Sequence, residues 1–113
     1  MDATAFEDLA EKTIESLFDS IDEAIGDDAD VDLENGILTV ELEDGRQYVI
    51  NKHSPNQQIW LSSPISGAAH YGYDDESGAW VSTRSNDVLM DVLSAEMTQI
   101  AGRKVTLLAM PFS

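Results

Sequence analysis

Five carboxylates, Asp8, Glu11, Glu15, Asp19 and Asp22, recur at spacings of three and four residues. At 100° per residue they fall within an arc of about 80° on one helix, which makes a ridge of hard oxygen ligands. Such a ridge accepts iron, manganese, calcium and related cations with little geometric selectivity. No histidine or thiolate joins it and nothing encloses the metal, so binding should be weak and reversible. The acids continue beyond the ridge. Asp22, Glu23, Asp27 and Asp28 crowd the C-terminal end of the helix, where the dipole is already negative. Asp30, Asp32 and Glu34 then follow at period two, along one face of a strand.

This arrangement is unfavourable for stability. Like charges at i,i+3 and i,i+4 cost about a few tenths of a kcal/mol per pair, and Lys12, the one base on the helix, lies off the centre of the arc. A solubilising face is the plain alternative. Charge placed against the dipole and carried onto the strand argues instead for a cation or a basic protein surface as the intended neighbour.

Other chemistry is absent. The 113 residues contain no cysteine, which excludes disulfides, thiolate metal sites, iron–sulfur ligation by this chain and a cysteine nucleophile. There is no Gly-rich phosphate loop and no HExxH, and neither of the two histidines adjoins a convincing nucleophile. An enzyme active site is therefore not expected. The ridge could promote oxidation of ferrous iron by stabilising the ferric product, but any set of hard anionic ligands does that.

The 22 acids and 6 bases leave a net charge of −16, so nucleic acid and anionic membranes are poor partners. Residues 1–44 hold 16 acids and one base, whereas residues 45–113 hold 6 acids and 5 bases. With 42% hydrophobic residues the chain has one modest core, and residues 1–113 read as a single domain. No run approaches the roughly 18 apolar residues of a membrane span and no leader precedes the first helix, so a soluble, cytoplasmic protein is expected.

The elements that position these residues follow from periodicity. Phe6, Leu9, Ala10, Ile14, Leu17, Phe18, Ile21, Ala24 and Ile25 form a core-facing helical stripe. Thr4 and Glu7 make a capping box at its start, and Gly26 ends it. Asn35-Gly36 joins runs 30–34 and 37–42 as a type I′ hairpin. Further strands read at 46–51, 58–63, 70–73 and 79–83, a second helix at 86–101, and a short strand or covering tail at 105–110. Helix, strands, helix implies an α+β two-layer sandwich, with two helices on one face of an antiparallel sheet of six or seven strands. In Gln58-Ile59-Trp60-Leu61-Ser62 the alternation turns Trp60 to the open face, while Trp80 belongs to the core.

Residues 51–67, NKHSPNQQIWLSSPISG, closely resemble the frataxin signature NKQxPNxQIWLSSPxSG. The acidic helix, the DVDLENGILTVEL hairpin, YVIN, Ala79-Trp80-Val81 and the last helix extend the resemblance over nearly the whole chain. It implies a frataxin-like sandwich, of the bacterial branch. The implied function is an iron-binding regulator and iron donor of iron–sulfur cluster assembly that docks on a cysteine desulfurase and its scaffold. The alternative is an iron-oxidising or storage protein, so the chain is expected as a monomer or as an iron-dependent oligomer.

By position, the resemblance assigns metal binding to Glu11, Glu15, Asp19, Asp22, Glu23, Asp30 and Asp32, with Glu7 peripheral. It assigns partner contact to Asn51, Gln58 and Trp60. His53 stands where the motif commonly has Gln, and His70 where many mitochondrial members have Arg. Both lie near Trp60 in the expected sheet and join the contact set, with a surface histidine of no role as the alternative reading.

Overall fold

The computed structural model describes residues 1–107. Its elements are α1 (Ala3–Ile25), β1 (Ala29–Glu34), β2 (Ile37–Leu42), β3 (Gln47–His53), a 3-10 turn (Ser54–Asn56), β4 (Gln58–Ser63), β5 (Gly67–Asp74), β6 (Ala79–Ser82) and α2 (Leu89–Ala101). The six strands form one sheet in chain order, each antiparallel to its neighbours. A one-residue slip would turn the apolar set to water, so alternation fixes the register. Leu38, Val40, Tyr48, Ile50, Ile59, Leu61, Tyr71 and Trp80 share one buried face. Phe6, Ile14, Leu17 and Ile21 of α1 and Leu89, Leu93 and Met97 of α2 complete the core against them. This is the expected α+β sandwich, with six strands among the described residues.

Boundaries differ from expectation for local reasons. Asp2, not Thr4, caps α1: its carboxylate accepts the Ala5 N–H at 2.8 Å. Thr4 is simply helical, and Glu7 serves elsewhere. Gly26 does end α1, but in a right-handed conformation with φ −60°. Glycine is needed there for proximity, because a Cβ would lie 2.3 Å from the Asp22 carbonyl oxygen. Asn35 and Gly36, with φ of 55° and 77°, form the type I′ turn.

The second helix starts at Leu89, not Asn86, because β6 captures the preceding segment. Val88 bridges Val81, and the Ser82 N–H donates to the Asp87 carbonyl. No strand forms at 105–107. Val105 and Leu107 are buried there, tied to the hydroxyls of Thr98 and Ser94 on α2. This is the covering arrangement; residues 108–110 lie outside the described residues. No helix among the described residues is long and apolar enough to cross a membrane.

Candidate cation ridge and sheet-face contact site

α1 carries Glu11, Glu15, Asp19, Asp22 and Glu23 on its exposed side, and Asp30 and Asp32 are exposed on the edge strand β1. The apolar stripe of α1 packs against the sheet and α2, which leaves the ridge facing solvent. On β1, Val31 and Leu33 pack against the core, and the alternation sends Asp30, Asp32 and Glu34 to the other side. The two acid rows therefore flank one edge of the molecule. Among the described residues, no three His, Asp or Glu side chains gather as a metal site. The edge offers a distributed field of exposed hard ligands, which suits a loosely held hard cation rather than a caged ion.

Two of the candidate ligands are already partnered. Lys52 of β3 places its Nζ 2.6 Å from Glu7 Oε2 and 2.7 Å from Glu11 Oε1. Ser54 Oγ donates to Glu7 Oε1 at 2.7 Å. The Lys52 and Ser54 hydrogen bonds hold the Glu7 carboxyl below its ordinary 4.5. The same two carboxylates, Glu11 foremost, raise the Lys52 ammonium above its ordinary 10.5. Glu7 is thus an ion-pair residue and not a cap, and the N-terminal end of the ridge is neutralised from the sheet. At the other end, the Arg103 guanidinium donates to the Ala24 carbonyl, satisfying an orphan acceptor at the negative end of the dipole. Neither base could be placed beside the ridge from spacing along the helix. Glu15, Asp19, Asp22, Glu23, Asp30 and Asp32 make no ion pair among the described residues.

On the open face, Trp60 of β4 pairs across with Asn51 of β3 and His70 of β5, while His53 pairs with Gln58. The indole, expected to be exposed on this face, is instead half-buried. His53 stacks on one side at 3.7 Å and 8°, and His70 on the other at 4.2 Å and 9°. Gln58 Oε1 accepts the indole N–H at 2.9 Å. The structure therefore brings His53, Gln58, Trp60 and His70 into one cluster with Asn51 beside it. Trp80, by contrast, is a core residue, and its indole N–H donates to the buried Thr13 hydroxyl at 3.1 Å.

Sequence reasoning missed Glu96. It lies within the buried stripe of α2 and is only 7% exposed. Its Oε1 accepts from the Tyr48 hydroxyl at 2.7 Å and from Ser63 Oγ at 2.6 Å, and its Oε2 accepts from Ser66 Oγ at 2.7 Å. Ser63 Oγ in turn accepts the Ile65 and Ser66 N–H groups. The carboxylate thus pins the turn between β4 and β5, the Ser-Pro-Ile-Ser part of the motif, to α2. Burial, and then the neighbouring Glu96, push the Tyr48 phenol far above its ordinary 10.0. The available signal was an acid three residues from Leu93 and four from Ile100, inside an apolar stripe.

Residues 1–103 match the frataxin-like domain family. The chain is 38% identical over 100 residues to the iron–sulfur cluster assembly protein CyaY of Thioalkalivibrio sulfidiphilus, covering 87% of this chain and 92% of that protein. It is also 38% identical over 101 residues to the mitochondrial frataxin homolog of Schizosaccharomyces pombe, covering 86% of this chain and 64% of that longer protein. Frataxin from Psychromonas ingrahamii superposes with a TM-score of 0.81 at 30% identity, over 96% of this chain and 99% of that one. Trimeric frataxin from Saccharomyces cerevisiae, complexed with ferrous iron, superposes with a TM-score of 0.69 at 35% identity, over 91% and 88% of the two chains.

Proposed function

The chain belongs to the frataxin family, and we propose that it binds iron weakly at its acidic edge and docks on the cysteine desulfurase–scaffold complex as a regulator and iron donor of cluster assembly. The names of its CyaY relatives support a role in iron–sulfur cluster assembly. The observation that carries the docking is the unpaired acid row Glu15, Asp19, Asp22 and Glu23 on α1, continued by Asp30 and Asp32 on β1. Carboxylates left without partners in a chain of −16 attract a basic surface over long range. Iron is the cargo of the same row. The sheet-face cluster of Asn51, His53, Gln58, Trp60 and His70 meets the scaffold, since an aromatic in a polar surround is the usual anchor of a protein contact. The setting proposed is the bacterial cytoplasm, in keeping with the CyaY relatives.

Charge reversal at Asp19 and Asp22 tests this reading. The Asp19→Lys/Asp22→Lys pair should weaken binding to the desulfurase about tenfold or more, and raised salt should weaken the wild type in the same direction. Unchanged affinity under both would refute docking by the ridge.

The trimeric ferrous complex from yeast favours a second reading, iron oxidation with storage in assemblies. Aerobic and anaerobic iron titrations followed by size measurement separate the two. Storage takes up many irons per chain and enlarges the particle, whereas regulation saturates at a few irons with no growth.

A further inference from the structure

The open face of β3–β5 is a neutral window in an acidic molecule. Around the His53–Trp60–His70 stack, the outward positions Asn51, Gln58, Ser62 and Gly72 carry no charge. Charged groups approach only from the surroundings. Lys52 is held by Glu7 and Glu11 of α1, on the helix-covered side. Arg84 follows Thr83, whose N–H donates to the His70 carbonyl at 2.9 Å. Farther out on the same face, Asp30, Asp32 and Glu34 of β1 and Glu41 of β2 lie two or three strands from Trp60 toward one edge, and Asp74 lies at the end of β5. Among the described residues the two imidazoles are thus the titratable side chains within the window, and imidazole is the side chain whose charge changes near neutral pH. His53 Nδ1 is buried without a hydrogen-bond partner, so a second N–H on that ring would find no acceptor in the fold.

We infer that His53 and His70 make this face a proton-sensing contact, which docks while both rings are neutral and lets go when they are protonated. The inference rests on the sheet-face docking proposed above and adds its regulation. The occupant follows from charge complementarity. A protein surface that covers an uncharged aromatic centre, with Asp30, Asp32, Glu34 and Glu41 toward one edge and Asp74 at one end, must be apolar over that centre and basic where it meets the acids. Protonation places up to two positive charges beneath that surface, where water is excluded and the nearest partner charges have the same sign. Each imidazole lies flat on the indole, at 3.7 and 4.2 Å, so both would sit directly under the covering surface. That repulsion favours release in acid.

The test is titration calorimetry of the full chain against the purified cognate desulfurase–scaffold complex, at about pH 7.6 and about pH 5.8 and fixed ionic strength. Wild type should bind about tenfold more weakly at the lower pH. The His53→Gln/His70→Gln pair should lose most of that slope, which separates it from titration of the partner. Should that pair be unfolded by circular dichroism, His53→Tyr/His70→Tyr keeps aromatic stacking without a proton to gain and reads the same slope. An undiminished slope in the folded pair, or tighter wild-type binding in acid, overturns the inference. Trp60→Ala separates the two failures: wild-type affinity there defeats the sheet-face docking and the inference with it. Weakened Trp60→Ala beside a persistent slope in the histidine pair defeats the inference alone.

Discussion

Glu96 shows how one side chain can hold a motif in place. Three hydroxyl donors converge on a carboxylate that α2 carries into the core, and charge-assisted hydrogen bonds of this kind are the stronger class. Glu96→Ala leaves those donors without their acceptor and should cost about 3 kcal/mol, seen as a fall in melting temperature of about 10 °C or more. Glu96→Gln, which keeps the shape but loses the charge, should cost about half as much. Lys52 is the second decisive residue, and its effect depends on pH. Because Glu7 is held below 4.5 in the folded chain, its pairing stabilises fully above that value and is lost as acid titrates the carboxyl. The melting temperature of Lys52→Met should therefore lie below wild type at pH 7, and the gap should close as pH falls below about 4.5. A gap constant with pH would show that Lys52 acts through packing of its stem alone.

Elements that obey periodicity were legible from residue order. The stripe from Phe6 to Ile25, the Asn35-Gly36 turn and the alternation through β2 and β4 appear as read. What was not legible came from neighbours far apart in the chain. Asp2 outcompetes Thr4 as the cap, β6 delays the start of α2, and Lys52 crosses 41 residues to reach Glu11. The candidate site divides in the same way. The acid row on α1 was visible from spacing alone, whereas the stacking of Trp60 between two imidazoles required the register of three strands. The junction of α1 with β1 is the element most sensitive to a small change, because Gly26 passes so close to the Asp22 backbone. Gly26→Ala should destabilise by about 2 kcal/mol through forced displacement of that turn, measured by denaturant midpoint. A loss no larger than a few tenths would mean that the junction gives way freely.

At the scale of the whole molecule, charge and stability are set against each other along one edge. The fold moderates the repulsion at both ends of α1, with Lys52 near its start and Arg103 at its end, but leaves the middle row uncompensated. Asp19 stands at i+4 from Glu15, at i−3 from Asp22 and at i−4 from Glu23, so several unfavourable pairs meet at this one position. Replacing Asp19 and Asp22 by lysine turns the pairs with Glu15 and Glu23 into attractions, leaves the 19/22 pair like-charged, and sets two positive charges nearer the negative end of the dipole. The same double variant that loses its partner should consequently melt a few degrees higher than wild type, at about a few tenths of a kcal/mol for each pair relieved. Divalent cations should raise the wild-type melting temperature beyond the effect of matched ionic strength, and should do so less in the variant, whose row no longer concentrates them. A variant that binds worse because it has unfolded would melt lower. Higher stability together with weaker binding would show that the edge is retained for function at the expense of the fold, whereas equal melting temperatures in low salt would mean that the row is hydrated well enough to cost nothing.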